Sequence, residues 1–347
     1  MNHQLPPPPL PWAKSFSIDL ILKVLNTTFF HPFVAWIIPL CMRAQAMPWT
    51  HTAMRISIGY ASILTLLCFC QILNLQIAYS KPRKVDLSEE VIVITGGAGG
   101  LGLLIAEVYG MRGATVAVLD IKDLEAGDVR GVTAYRCDVS DKDQLAKAAF
   151  QIERDLGSPT ILINNAAIVN GKPFLDLSLE EIEKCLRVNL FSQFYTIKTF
   201  LPSMVRAGSG TIVTISSVLS SVGAASLSDY TATKAGITAL HKSLAAELKS
   251  TPNIKTVLVS PGQIGSSLFN SVKTPSSFFG PIIESVDVAK EIIATIDSGS
   301  SAYLAMPLYA RWIDWMNVLP VGIQAILRRL SGIDNAMSTF QKKDKEL

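Results

Sequence analysis

Charged residues make up only 17% of this 347-residue chain, below the roughly one quarter usual in soluble domains. That shortage predicts that some apolar surface meets lipid. The formal net charge is +3, too small to call for a nucleic-acid partner. Histidine is scarce: His3, His31, His51 and His241 are scattered and form no HxxH or HExxH pair. The 5 cysteines are odd in number and include no CxxC. Neither a disulfide framework nor a metal site is therefore expected. A basic leader with a short apolar core and cleavage site is also missing, so no removable signal peptide is expected.

Apolar residues, by contrast, reach 49%, and many lie early. Pro6 to Pro9 mark residues 1–12 as an extended or disordered tail. From Ile18 to Met42 the chain is apolar but broken by Asp19, Lys23, Pro32 and Pro39. A re-entrant or interfacial segment fits that pattern, and a kinked span is the alternative. From Ile56 to Tyr79 no charge occurs, and about 20 such residues suffice to cross a bilayer. The competing reading is a buried core helix. Lys81, Arg83 and Lys84 follow this segment, whereas Arg43 and Arg55 precede it. That small asymmetry points to a cytosolic domain beyond it. The expectation is an anchor in the endoplasmic reticulum or a lipid droplet.

Val91–Thr95 reads as a short buried strand. It runs into Gly96-Gly97-Ala98-Gly99-Gly100-Leu101-Gly102, and Leu101–Arg112 has helical periodicity. Strand, glycine turn and helix together predict a pyrophosphate site. Glycines permit close backbone approach, and a helix amino terminus favours an anion. A second strand, Thr115–Leu119, ends at Asp120, about 20 residues past the glycines. A carboxylate there accepts from a ribose diol and repels a 2′-phosphate, so NAD is favoured, with NADP left open. A plain strand-end turn residue is the alternative for Asp120. The strand Val132–Cys137 ends at Asp138-Val139, where the aspartate could accept an adenine amino group or cap the helix Asp141–Leu156. Ile161–Ile163, a fourth strand, ends in Asn164-Asn165-Ala166-Ala167.

Ser178-Leu179-Glu180-Glu181 is a capping box opening a helix to about Val205. Asn189 lies within it, either as a structural amide or as a functional one. Thr211–Ile215 is a fifth strand and delivers Ser216-Ser217. A helix over Tyr230–Ser250 would put Tyr230 and Lys234 on one face, one turn apart. An ammonium beside a phenol lowers the phenol's proton affinity, which suits exchange with an alcohol or carbonyl oxygen. Lys255–Ser260 is a sixth strand, followed by Pro261-Gly262-Gln263-Ile264-Gly265-Ser266. A helix over Val286–Asp297 and a strand at Ala302–Met306 complete the alternation. Such alternation predicts a doubly wound α/β Rossmann fold, with a seven-stranded parallel sheet behind the amino-terminal membrane segment.

These residues together resemble the short-chain dehydrogenases/reductases, over roughly residues 88–306. Thr95-Gly96-x-x-x-Gly100-x-Gly102, Asn164-Asn165-Ala166, Asn189, Ser217, Tyr230-x-x-x-Lys234 and Pro261-Gly262 follow in family order and at family spacing. That spacing selects Ser217 over Ser216. The resemblance implies that Tyr230 is the general acid/base and that Lys234 tunes it and binds the nicotinamide ribose. By the same likeness Ser217 holds the substrate oxygen, and Asn189 supports a water-linked proton relay to Lys234. Dinucleotide contacts carry over to Thr95, Gly96, Gly100, Leu101, Gly102, Asp120, Asp138, Val139, Asn165, Ala166, Pro261, Gly262, Ile264 and Ser266. Ser266 stands where the family usually has Thr, and Ala167 where Gly is common. Strand order 3-2-1-4-5-6-7 and a homodimer through the two long helices are further family expectations.

After Met306 the chain mixes Trp312, Trp315, Leu319 and Ile323 with Arg311, Arg328 and Arg329. An interfacial helix fits, as does a flap over the substrate cleft. An apolar amino-terminal segment plus such a tail resembles the membrane-associated retinol and 17-beta-hydroxysteroid dehydrogenase branch. The division expected is an anchor region over 1–85, a catalytic domain over 86–306 and a tail over 307–347. The function expected is hydride transfer between NAD and a lipophilic alcohol or its carbonyl product. An NADPH-dependent carbonyl reductase and a non-catalytic NAD(H) sensor are the alternatives. Selectivity is expected in the loop Ser267–Ser285 and in the tail.

Overall fold

The computed structural model describes residues 17–125, 127, 129–269, 272 and 280–340. The proline-rich tail lies outside the described residues, as do residues 270, 271 and 273–279 of the loop Ser267–Ser285. The chain divides into two compact units, with the boundary after Tyr79.

The first unit is helical. Helices α1 (Ile18–Thr27) and α2 (Pro32–Ala44) form a pair bent by 50°. Ser17 caps α1 by accepting from Leu20 N, and Pro32 opens α2, where a missing N–H costs nothing. Pro39, expected from sequence to interrupt the segment, lies inside α2 without ending it. Helix α3 (Thr52–Ala78) has 27 residues and a mean hydropathy of 2.0 in its most apolar window. At about 1.5 Å per residue it exceeds the ~30 Å apolar thickness of a bilayer. It begins before the charge-free run and so includes Arg55. Trp36 donates to Thr65 Oγ1 at 2.9 Å, tying α2 to α3.

The second unit alternates strand and helix. In chain order come β1 (Val91–Thr95), α4 (Gly100–Met111), β2 (Thr115–Asp120), β3 (Val132–Arg136), α5 (Lys142–Asp155) and β4 (Ile161–Asn164). Then follow α6 (Leu179–Cys185), α7 (Ser192–Ala207), β5 (Gly210–Ile215), α8 (Ser228–Glu247) and β6 (Ile254–Pro261). A small pair, β7 (Ile264–Gly265) and β8 (Ile283–Glu284), precedes α9 (Ser285–Asp297) and β9 (Ala302–Met306); the tail carries α10 (Val321–Ser331). The main sheet has seven strands in the order β3-β2-β1-β4-β5-β6-β9, all parallel.

Alternation along each strand divides the core. Ile92, Ile94, Val116 and Val118 face α4 and α9, packing with Ile105, Tyr109, Ile292 and Ile296. Val91, Val93, Ala117 and Leu119 face the other way, towards α5, α7 and α8. Both faces of the sheet are therefore covered, which explains why its strands read as apolar runs rather than alternations.

Ser80–Val85, grouped from sequence with the anchor, belongs to the second unit. Arg83 is buried and grips Glu90 with two bonds of 2.7 and 3.1 Å. It also donates to Thr211 Oγ1 on β5, and its backbone N–H reaches Gly299 O. Lys255, fully buried on β6, donates to Ser80 Oγ at 2.7 Å. These bonds sew the incoming chain to the amino-terminal edge of the sheet, opposite the glycine turn. Removing one partner of a buried pair strands a charge. Glu90→Leu should cost about 3–5 kcal/mol in denaturant unfolding of the detergent-solubilised chain, and Arg83→Met with Glu90→Leu much less. A single-substitution loss no larger than that of the double would overturn this assignment.

Candidate active site

The site forms at the carboxyl ends of β1, β2, β4, β5 and β6. The glycine turn leaves β1 with Gly96 at φ +64° and Gly100 at φ +57°, conformations that favour glycine. A Cβ on Gly102 would stand 2.5 Å from Gly96 O and 2.8 Å from Asn165 Nδ2. Gly102 is therefore needed for close packing of helix on turn. Gly99 caps α4 without a side-chain hydrogen bond, so backbone N–H groups at that helix start remain for an anion. Bare backbone, free helix end and adjacent carboxylate together fit a dinucleotide. Asp120 Oδ2 accepts from Ala98 N at 3.0 Å, fixing the carboxylate at the turn.

Thr95 joins β1 to the loop after β4. Its Oγ1 accepts from Asn165 N at 3.0 Å and Ala166 N at 3.1 Å. Asn165 Nδ2 answers by donating to Thr95 O and Gly96 O. β1 and β4 are thereby locked at the point where their loops diverge. Asp138 accepts from Ser140 N and Oγ, a local turn, while Asp141 is the residue that caps α5. Val139 is buried beneath that turn. At the end of β6, Gly262 N donates to Met306 O at 2.7 Å, and the Tyr309 hydroxyl and Pro307 leave no room for a side chain at Gly262. Ile264 lies in β7, paired with Ile283 of β8, and Ser266 N turns back onto Ile264 O.

The long helix expected through Val205 runs unbroken over 179–207 but changes pitch within it. Residues 186–191 form one π-helical turn between α6 and α7, and such turns mark insertions that re-aim a side chain. Asn189 sits in that turn, completely buried. Its Oδ1 accepts from Ile168 N at 2.8 Å, and its Nδ2 donates to Ile168 O at 2.9 Å and Thr233 Oγ1 at 3.2 Å. It thus bridges the loop after β4 to α8.

Helix α8 starts at Ser228, two residues before Tyr230. Tyr230 and Lys234 are 4% and 2% exposed. Ser217 stands close enough to the Tyr230 phenol to influence it, while its Oγ accepts from Leu219 N at 3.2 Å. Ser216 instead binds Lys234 O and Thr238 Oγ1, so the two serines face different groups. Lys234 Nζ donates to Ile215 O at 2.8 Å and lies 5.5 Å from the Tyr230 ring centroid. The lowered phenol expected from the lysine is not what this geometry gives. Burial pushes the Tyr230 phenol above its usual range, with the neighbouring Ser217 hydroxyl opposing and Cys185 reinforcing the rise. Burial also lowers the Lys234 ammonium to about 8. The physical reason is that desolvation acts on both groups while the ammonium is turned to a carbonyl.

Several residues around the tyrosine carry no motif. Phe269 meets its ring edge-on at 5.8 Å. Val169, Leu227, Val272 and Met337 are buried with it, and Phe340 packs against the same cluster. Phe340 comes from the tail and rests on Gly171, where a Cβ would strike its ring. Asp229, buried beside Tyr230, accepts from Asn170 Nδ2 at 2.7 Å. Helical spacing could have flagged Asp229; nothing in the sequence joins Met337 and Phe340 to Tyr230, because only the folded tail brings them there.

Comparison with known proteins agrees with this geometry. The family described as short chain dehydrogenase matches residues 90–276. Short-chain dehydrogenase/reductase family 16C member 6 of Bos taurus is 32% identical over 276 residues, 76% of this chain and 87% of that protein. Epidermal retinol dehydrogenase 2 of Homo sapiens is 33% identical, over 77% of this chain and 90% of its own length. Retinol dehydrogenase 10 of Rattus norvegicus is 28% identical over 77% and 89%. Among solved structures, ligand-free aldohexose dehydrogenase of Thermoplasma acidophilum superposes with a TM-score of 0.55 at 26% identity. It covers 64% of this chain and 94% of its own.

The depressed Lys234 gives a stability test. Its folded proton affinity, about 8, lies below the ordinary 10.5. Below pH 8 both folded and unfolded lysine are charged and the burial penalty is present in full. Between about pH 8 and 10 the folded protein releases the proton first, so stability rises with pH. Lys234→Met should remove that rise and stabilise the dinucleotide-free protein at pH 7 by on the order of 1–3 kcal/mol. Thermal unfolding across this pH range checks it; parallel curves for the two proteins would contradict the assignment.

Proposed function

This chain belongs to the short-chain dehydrogenase family, and from that footing we propose a membrane-anchored dehydrogenase that uses NAD to oxidise a lipophilic alcohol. As a member it is an oxidoreductase of CH–OH groups with a nicotinamide dinucleotide cofactor. One observation carries the finer reading: Ser217, Tyr230 and Lys234 are buried together, with Lys234 Nζ 5.5 Å from the tyrosine ring, beneath a cover of apolar side chains.

The dinucleotide, when bound, supplies the acceptor for the hydride leaving the carbinol carbon. Tyr230 Oη takes the hydroxyl proton, and Ser217 Oγ holds the same oxygen in reach. Lys234 Nζ supports the phenolate and the nicotinamide ribose. Both ends of the Asn189 amide are engaged, so in this reading Asn189 supports the water-linked relay to Lys234 by holding the loop after β4 against α8. Gly96, Gly100, Leu101 and Gly102 cradle the pyrophosphate, with Thr95, Asn165 and Ala166 framing the turn. Asp120 accepts from the adenosine ribose, and Asp138 and Val139 border the adenine. Pro261, Gly262, Ile264 and Ser266 hold the carboxamide end.

The substrate class follows from the cover. Val169, Leu227, Phe269, Val272 and Met337 offer no polar partner to a second substrate group. A retinoid, steroid or fatty alcohol suits such a wall, and relatives named retinol dehydrogenases support it. Helix α3 spans the bilayer in this reading, with 6% of its apolar window buried within the protein. The bent pair α1–α2 dips into the same membrane. Lys81, Arg83 and Lys84 favour a cytosolic catalytic domain on the endoplasmic reticulum or a lipid droplet. Anchor, catalytic domain and tail then divide near residues 80 and 307, and the chain can pair with a second copy through α7 and α8.

Tyr230→Phe should lower turnover by about 10²–10⁴-fold while NAD binding stays within twofold; retained turnover refutes the mechanism. Purified protein in membranes, given NAD, should oxidise at least one of a retinol, a hydroxysteroid or a long-chain alcohol. Turnover confined to small polar alcohols would overturn the lipophilic assignment.

A further inference from the structure

We propose that Glu125 is a second carboxylate, besides Asp120, by which the site selects NAD over NADP; this rests on the dinucleotide reading above. After β2 the chain leaves Asp120, whose Oδ1 accepts from Lys122 N at 3.1 Å. It then comes back to the glycine turn. Glu125 N donates to Ala98 O at 2.9 Å, on the residue whose N–H already binds Asp120 Oδ2. Leu124 packs against the core and holds this return in place.

The Glu125 carboxylate lies over Gly99. A Cβ on Gly99 would stand 2.6 Å from its Oε1 and 2.8 Å from its Oε2. Gly99 has φ −156°, an extended conformation open to any residue. Its glycine is therefore not demanded by the backbone, and a side chain there would displace the exposed Glu125 carboxylate from this position. Gly96 and Gly100 in the same turn are explained by positive φ, so Gly99 needs this separate account.

Two carboxylates thus converge on Ala98-Gly99, just before α4. A carboxylate at the end of the second strand faces the adenosine ribose in such folds. A second one on the same turn faces the same ribose. A diol can donate to both. A 2′-phosphate brings further negative charge and is repelled by both. Lys122 is the nearest basic residue in sequence, and its side chain is exposed to solvent. Glu125 is also exposed, so its effect is smaller than that of Asp120 and depends on ionic strength.

The test measures dissociation constants of NAD and NADP by calorimetry on the full chain in detergent. Wild type, Glu125→Gln, Asp120→Asn and the double variant are compared. Glu125→Gln should tighten NADP about three- to fivefold at low salt, leave NAD within about twofold, and lose the gain near 1 M salt, where the Debye length is about 3 Å. The double variant should exceed Asp120→Asn by a similar factor. Unchanged NADP affinity, equal tightening of both cofactors, or a gain that survives high salt would each overturn the proposal. If Asp120→Asn shifts the preference and Glu125→Gln does not, the dinucleotide reading stands and this inference alone falls. A wild type that binds neither cofactor overturns both.

Discussion

The Lys234 ammonium is 2% exposed and has Ile215 O as its recorded acceptor. Water is the cheaper solvent for that charge, so the fold bears a cost to keep it dry. The ends of β5 and α8 are both fixed by it: one lends the carbonyl, the other carries the lysine and, one turn earlier, the tyrosine. The same burial raises the Tyr230 phenol, so neither group is at its working proton affinity without a partner. A ligand that brings hydroxyls to Nζ and polar atoms to the phenol relieves both costs together. Binding and activation are then one event, which is why the site can be stable when idle and reactive when filled.

Such an arrangement holds only if the two halves of the sheet keep register. Thr95 does this with two accepted N–H bonds from Asn165 and Ala166, and Asn165 returns two more. Further along, Asn189 ties the loop after β4 to α8 through Ile168 and Thr233. The π-helical turn at 186–191 is what aims that amide inward. The glycine turn, the loop after β4 and α8 are therefore linked by the amides and hydroxyls of Thr95, Asn165, Asn189 and Thr233, which find partners in one another and in the backbone. One unsatisfied member would cost about 1–3 kcal/mol, so these side chains leave little freedom for substitution.

What could be read from sequence follows the range of the forces involved. The parallel sheet and its two covered faces follow from apolar runs alternating with helical periods, signals local to each segment, whereas strand order came only with the family resemblance. Ser217, Tyr230, Lys234 and the glycine turn were legible because they lie in compact motifs. Ser217 could be separated from Ser216 only by spacing, and the structure gives the two hydroxyls different partners. The π-helical turn was not legible, because a single inserted residue leaves the helical period almost intact. Arg83, Glu90, Lys255 and Glu125 were missed for another reason. Each acts through a partner far along the chain or across a turn, and a charge in a sequence does not reveal whether it will be buried. The phenol's raised proton affinity was misjudged for the same cause: adjacency of Lys234 was visible, desolvation was not.

The tail shows the same long-range logic on a larger scale. Asp314 binds Ser221, and Asn317 donates to Ser221 O at 3.1 Å, in the stretch just after Ser217. Asp334 pairs with Arg328 at 2.5 Å and accepts from Ala225 N at 3.3 Å, just before Tyr230. The segment between the serine and the tyrosine is thus held from outside by the tail, whose next turn lays Met337 against the tyrosine cluster. Its outer side leaves Trp312, Trp315, Val318, Val321 and Leu330 more than half exposed. Exposed aromatics with nearby arginines suit a headgroup boundary better than bulk water. For a lipophilic alcohol, each CH₂ carried through water costs about 0.8 kcal/mol. Under the proposed function, a tail that covers the site with one face and meets lipid with the other would spare the substrate that crossing.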